Sequence, residues 1–286
     1  MPDTKQFHPR FPLSDVNVQQ VEVVKEINDP DVSTDWLQMT KNEFRMIAPE
    51  VGTFYASHGE TILFSPVNEA TDESVELYMN GSVFGAILYQ RGILPIHGSS
   101  FVYNGSGVML CGHSGAGKSS LTSAVCLSGQ GTFLTDDVTP ILFNDGEPTV
   151  LPKSDRVKLW EDSLIQLSEE KDKLKQIRPQ DNKFYLNIDK PATEPYPLHQ
   201  VVIINVSEEV TEPKVEKMSG AEAFSVLQKE IYRLFYLQAM PQQKARYFMQ
   251  LSAICNQCSV QRLTRPAGIP IKEMAAFLTK EVLTNT

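Results

Sequence analysis

Along the first quarter of the chain, apolar residues come in short clusters: Val21-Glu22-Val23-Val24, Phe44-Arg45-Met46-Ile47, Thr53-Phe54-Tyr55 and Thr61-Ile62-Leu63-Phe64. Turn residues such as Asn28-Asp29-Pro30 and Ala48-Pro49 separate them. Runs this short between breakers predict an antiparallel β layer. From Glu73 to Gln90 the spacing changes, with apolar side chains at Val75, Leu77, Tyr78, Val83, Phe84, Ile87 and Leu88. That period predicts a helix over about 81–91, stopped at Arg91-Gly92.

The pattern then alternates between strand and helix. A strand is expected from Ile93 to Val102, a hairpin turn at Asn104-Gly105, and a second strand ending in Val108-Met109-Leu110-Cys111. A helix should follow, stopping near Leu127 to Gly129, and then a short strand, Thr132 to Thr135, with Asp136 and Asp137 at its end. Further on, the pattern predicts a hairpin across Asn144-Asp145-Gly146, a strand Val157–Trp160, a charged helix near 161–174, and strands at Phe184–Leu186 and Val201–Ile204. Helices over 219–238 and 241–254, a strand over 259–264 and a last helix over 270–283 complete it. Residues Pro191 to Leu198 are expected to form a turn or an extended, mobile connector. The fold class is therefore α/β: a mixed sheet with flanking helices over 93–286, preceded by a small, mostly β region over 1–92.

One stretch changes this picture from architecture to chemistry. Gly112-His113-Ser114-Gly115-Ala116-Gly117-Lys118-Ser119 fits G-x-x-x-x-G-K-[ST] and joins an expected strand to an expected helix. Glycines at 112, 115 and 117 tolerate positive φ and carry no Cβ, so successive N–H groups can turn inward around a phosphate. The helix that opens at Lys118-Ser119-Ser120 adds unpaired amides and the positive end of its dipole. Lys118 would reach the β and γ phosphates, and the Ser119 hydroxyl would meet Mg²⁺. The bland reading is a glycine-rich turn that holds nothing.

Composition narrows the partners. Lys and Arg number 26 against 35 Asp and Glu, a formal net charge of −9, so no global field draws nucleic acid or an anionic membrane surface. Four cysteines, at 111, 126, 255 and 258, are too few for a disulfide framework, and the Cys255-x-x-Cys258 spacing has no second pair to complete a zinc site. They read as core or helix-end residues in a reducing, cytoplasmic setting. The N-terminal stretch lacks the basic-then-apolar order of a secretory signal, and no apolar run has the length of a membrane span.

Two further features belong to the glycine stretch. Asp136 and Asp137 lie at the carboxyl end of a strand, the edge where ligands collect in open α/β sheets. Neighbours on a strand face opposite ways, so one should stand beside Ser119 as a metal ligand while the other accepts the proton of an attacking hydroxyl. The hairpin at Asn104-Gly105 would also fold the strand carrying His97 back beside the one entering Gly112. His8, His58, His113 and His199 have weaker claims. A strand end with a turn-forming Asp and a structural histidine are the bland alternatives.

Three blocks together resemble the catalytic domain of bacterial HPr kinase/phosphorylase: Leu94-Pro95-Ile96-His97-Gly98-Ser99-Ser100, Gly107 to Ser119, and Leu134-Thr135-Asp136-Asp137-Val138. They keep that family's order and nearly its spacing. The resemblance is greater still to the HPr-kinase-like proteins with a different N-terminal domain, a branch that includes serine kinases of lasso-peptide precursors. It implies a P-loop core like that of phosphoenolpyruvate carboxykinase, and a kinase that uses ATP and Mg²⁺ to phosphorylate a serine-type hydroxyl on a peptide or small protein. Position by position it gives Lys118 and Ser119 as phosphate and metal residues, Asp137 as proton acceptor and His97 as its partner. The family's later glutamate-containing segment has no counterpart here, and the first 70 residues do not resemble its regulatory domain.

The working expectation is a cytoplasmic kinase of this kind, oligomeric or not. Its cofactor-binding residues are Gly112 to Ser120, its metal residues Ser119 and Asp136, and its catalytic residues Asp137, His97 and Lys118. Arg156, Lys158 and Arg178 are candidates for steadying the transferring phosphoryl group. The alternatives are a catalytically silent ATP-binding module that orders a partner-binding surface, and a small-molecule kinase.

Overall fold

The computed structural model describes residues 6, 7, 9, 11–178 and 181–283. The chain divides into two compact units, one of Met1–Leu94 with Arg233–Tyr247, the other of Pro95–Tyr232 with Phe248–Thr286. The first unit thus takes a segment that a division at residue 92 would leave in the second.

The first unit has strands β1 (Asn17–Gln20), β2 (Val32–Ser33), β3 (Leu37–Met39), β4 (Glu43–Ala48), β5 (Gly52–Ser57) and β6 (Thr61–Pro66), in the order β1-β6-β5-β4-β3-β2. The expected layer is present and antiparallel from β2 to β6, but β1 runs parallel to β6. The Val21–Val24 run is not a strand. The more polar Asn17–Gln20 just before it takes the place, because a strand at a sheet edge needs backbone partners more than apolar faces.

Helix α1 (Asp72–Tyr78) begins well before the expected 81. Its start is fixed by a capping box in which the Thr71 hydroxyl accepts from Ser74 N and the Ser74 hydroxyl accepts from Thr71 N. A π turn, Met79–Val83, leads into α2 (Phe84–Arg91), which ends as expected on Gly92 in the left-handed region.

Aromatic rings fill this unit's core. Tyr89 lies 5.4 Å from Tyr236 and 5.3 Å from Tyr247, and Phe44 lies 5.3 Å from Tyr236, centroid to centroid. Such pairs combine a large buried area with favourable ring geometry. Their hydroxyls are satisfied too: Tyr236 donates to Ser82 O and Tyr247 to Ile93 O.

The second unit opens with β7 (Leu94–Ile96), β8 (Gly98–Tyr103) and β9 (Ser106–Cys111), where Asn104 and Gly105 make the expected turn at positive φ. Then come α3 (Lys118–Leu127), β10 (Gly131–Thr135), β11 (Thr139–Asn144), β12 (Glu147–Val150), β13 (Arg156–Trp160) and α4 (Glu161–Leu167). The rest is β14 (Lys175–Gln176), β15 (Lys183–Asn187), β16 (Tyr196–Ser207), β17 (Lys214–Met218) and α5 (Gly220–Lys229), then α6 (Gln243–Gln257), whose residues up to Tyr247 are counted in the first unit, β18 (Ser259–Pro266) and α7 (Ile271–Phe277). The main sheet runs β10-β8-β9-β16-β12-β11-β7, with β18 on β16 and β17 on β18; β13, β15 and β14 form a smaller sheet.

Four sequence expectations change here. The helix over 161–174 stops at Leu167, where Ser168 adopts φ 68°, and one 3₁₀ turn follows. The helix over 219–238 breaks after Lys229, because the chain leaves it to pair Ile231 with Ile96. Residues from Tyr196 to Leu198 are no mobile connector but the start of the twelve-residue β16. Finally, β14 and β17 were not anticipated; both are wholly or almost wholly exposed, so they carry little hydrophobic signal.

Strand direction decides where the chemistry collects. β16 is parallel to β9 and to β18, while β8 is antiparallel to both β9 and β10. The ends of β9, β10, β16 and β18 and the start of β8 therefore share one edge. Cys111, Cys126 and Cys258 are buried free thiols and Cys255 is half-buried. Among the described residues no helix is long and apolar enough to cross a membrane.

Tyr236→Ala should destabilise the first unit by about 3–5 kcal/mol, as removal of a buried aromatic side chain does. Denaturant unfolding checks the size, and limited proteolysis should show cleavage appearing within Arg233–Tyr247. An unchanged midpoint would mean that the segment does not dock as described.

Candidate functional site

The shared edge carries a cavity of about 260 Å³, lined from the glycine stretch by Ser114, Gly115, Gly117, Lys118, Ser119 and Ser120. His97, Asp136, Asp137, Lys158 and Arg265 line it as well.

The stretch leaves β9 with Gly112 at φ 133°, Gly115 at φ 84° and Gly117 at φ 99°. At Gly112 a Cβ would lie 2.4 Å from Ile204 O, so glycine is required for the loop to cross β16 at that height. Lys118, the first residue of α3, is buried. Its ammonium donates to two carbonyls of its own loop, Gly112 O at 2.6 Å and His113 O at 3.2 Å, and burial pushes its pKa down. Gly112 N donates to the Glu230 carboxylate at 3.3 Å. The His113 ring is turned onto Ser114 O on the exposed side of the loop. Ala116 is buried, and the Ser120 hydroxyl pairs with that of Ser163 at 2.8 Å.

Asp136 stands where α3 begins. Its Oδ1 accepts from the Ser119 hydroxyl at 2.7 Å and its Oδ2 from Lys158 N at 3.1 Å. Both aspartates line the cavity, with their carboxylates turned to different partners, Asp136 to Ser119 and Asp137 to Lys158 and His97. Asp137 lies beyond the end of β10 with φ 71°, so strand alternation no longer governs its side chain. Asp is among the few residues that adopt this conformation at modest cost.

Asp137 Oδ2 accepts from Lys158 Nζ at 2.8 Å. Burial alone would raise its pKa, but Lys158, Lys153 and His97 outweigh burial and hold the carboxyl well below the usual carboxylate range. Burial likewise disfavours the charge on Lys158, and Asp137 more than restores it, so the ammonium is held above its ordinary value. Lys153 is brought down to about 7 by burial and by the neighbouring Lys158, against the pull of both aspartates.

His97 interrupts the β7–β8 segment, its N–H donating to Glu230 O at 2.6 Å and its ring lying 6.1 Å from that of Tyr232. Its Nδ1 is 3.0 Å from Asp137 O and 3.7 Å from Asp137 Oδ1. Burial and Lys118 lower its pKa, more than Asp137 and Glu230 raise it, so the ring is neutral at pH 7. A carbonyl only accepts, so in the neutral ring Nδ1 carries the proton and Nε2 keeps a lone pair.

Of the three cations suggested by sequence, only Lys158 lines the cavity. Arg156 lies over the Tyr185 ring at 4.3 Å, and Arg178 pairs with Asp181 at 2.7 Å. Among the other histidines, the described His58 and His199 are not among the cavity's lining residues, and His8 lies outside the described residues. Arg265, Glu230, Tyr232 and Lys153 were not singled out. For Arg265 a signal existed, since it lies near the carboxyl end of a strand parallel to β16, at the ligand edge.

A hard divalent cation would find one hydroxyl and one carboxylate oxygen in Ser119 and Asp136, with waters and phosphate oxygens completing its shell. Among the described residues no three His, Cys, Asp or Glu side chains gather into a ready-made metal cluster. The set fits a cation that arrives with a ligand better than one bound by protein alone.

Paired in this way, the Asp137 carboxylate stabilises the fold above about pH 4, its ordinary range, and that contribution is lost as the pH falls. Urea unfolding between pH 6 and pH 3 should therefore show a steeper acid limb for the unaltered protein than for Asp137→Asn. Parallel limbs would mean that the ion pair is not formed in solution.

No family model matches the sequence, and no curated protein is significantly similar to it. Among solved structures, the HPr(Ser) kinase/phosphatase from Coxiella burnetii is similar with a TM-score of 0.36 and 11% identity, covering 65% of this chain and 87% of that one. By its own elements the chain is a mixed α/β protein.

Proposed function

We propose that the second unit is an ATP- and Mg²⁺-dependent kinase, which transfers the γ-phosphoryl group to a serine-type hydroxyl of a peptide or small protein. One observation carries this reading: the Ser119–Asp136 hydrogen bond and the Asp137–Lys158–His97 cluster open on the same cavity as the glycine loop. A phosphate loop alone would explain nucleotide binding. A carboxylate held ionised beside it, with a neutral imidazole, supplies what an acceptor hydroxyl needs. The serine-type acceptor follows from the resemblance of residues 94–100, 107–119 and 134–138 to the HPr kinase catalytic domain.

The roles divide by position. The loop amides and the start of α3 hold the phosphates, and Lys118 exchanges its bonds to Gly112 O and His113 O for phosphate oxygens. Ser119 and Asp136 would hold Mg²⁺, whose chemistry is to neutralise charge on the phosphate oxygens. Asp137 accepts the hydrogen bond of the attacking hydroxyl and aligns it. As the acceptor oxygen bonds to the γ phosphorus, the bond from phosphorus to the β–γ bridging oxygen breaks and its electron pair leaves with ADP. The acceptor proton passes to Asp137. Phosphoryl transfer has a loose transition state, so that proton moves late, from an oxygen already made acidic, and a weakly basic carboxylate suffices. Lys158 keeps Asp137 anionic and stands where developing charge needs a cation.

The Lys158–Asp137 pairing also favours a second reading, a nucleotide-binding module without turnover, because the same ion pair that fixes the carboxylate reduces its basicity. Such a module would be protected from proteolysis by ATP yet leave every phosphate in place.

Asp137→Asn should lower transfer from labelled ATP to serine-containing peptides by about 100-fold or more, with ATP affinity by calorimetry little changed. Loss of ATP binding in that variant, or full turnover, would remove Asp137 from its role. No phosphate release with any acceptor, despite tight binding, would favour the silent module.

A further inference from the structure

Arg265 was drawn into the cavity by the fold and is not accounted for by the roles above. Its Nε donates to Ala116 O at 3.0 Å and its Nη1 to Pro266 O at 3.2 Å. Its Nη2 lies over Gly117, 3.4 Å from the point a Cβ there would occupy. Among the described residues no carboxylate pairs with it, and burial lowers its pKa. A half-buried guanidinium that meets only carbonyls keeps its charge uncompensated, and an anion in the adjoining cavity would supply what is missing.

Sheet order locates that anion along a polyphosphate. Reading across the edge, the acidic pair follows β10, the glycine loop follows β9, and Arg265 lies near the end of β18, with β8 and β16 between. If transfer occurs, the terminal phosphorus faces Asp137 and His97. Arg265 is on the other flank of the loop, so it meets the chain nearer the nucleoside.

We propose that Arg265 is a phosphate-binding residue of this site, clamped to Ala116 and directed to the non-transferred α or β phosphate, which ATP and ADP share. The assignment rests on the nucleotide reading of the site. It makes Arg265 a determinant of affinity for both nucleotides.

The test compares ATP and ADP binding by calorimetry in the full chain and in Arg265→Gln and Arg265→Lys. A charge-assisted hydrogen bond is worth about 10- to 100-fold in affinity. Arg265→Gln should lose that much for ATP and ADP alike, and Arg265→Lys should recover part of the loss for both. Weaker ATP binding with ADP unaffected would put the arginine on the terminal phosphoryl and overturn the proposal. Unchanged affinity for both would leave it a brace for Ala116 and overturn it equally. Thermal melting without nucleotide separates these outcomes from misfolding; should Arg265→Gln fail to fold, the lysine variant carries the comparison. If the unaltered protein binds neither nucleotide, the kinase reading itself falls, and this assignment with it.

Discussion

Two carboxylates in adjacent positions at one strand end repel each other, and Lys158 is what makes their proximity tenable. Its ammonium binds Asp137 while its backbone N–H binds Asp136, so one residue of β13 fixes both side chains in different directions. Asp136 is thereby turned toward Ser119, and Asp137 toward His97. Losing Lys158 would leave a largely buried carboxylate without its partner, the costly way to break an ion pair. The smaller sheet that carries Lys158, formed by β13, β15 and β14, is thus part of the site as much as the glycine loop is.

Much of this was legible in the residues. The glycine stretch, the Asn104-Gly105 and Asp145-Gly146 turns and the stop at Gly92 all rest on positive φ, a local requirement that a single sequence displays. The hairpin that returns His97 beside Gly112 follows from one such turn, and β8 pairs with β9 so that Gly98 faces Cys111. The neighbourhood of Ser119 and one aspartate was legible for a related reason, since a strand, a tight turn and a helix leave few ways to place the next strand.

What was not legible depends on partners distant in sequence. Nothing in Thr135-Asp136-Asp137-Val138 shows that the second aspartate turns into the left-handed region. Arg178 and Lys158 look alike as isolated cations, yet one makes a local pair with Asp181 while the other crosses to Asp137. The helices expected near 161–174 and 219–238 follow an apolar period that tertiary pairing cuts short. Glu230 and Tyr232 reach His97 only because that second helix ends early.

The membership of Arg233–Tyr247 in the first unit has a bearing on biogenesis. Tyr236 reaches Ser82 and Tyr247 reaches Ile93, each across 154 positions of chain. On the ribosome, the β layer and its helices emerge long before the aromatic side chains that close their core. The β layer must therefore wait, incompletely sealed, until translation has passed Tyr247.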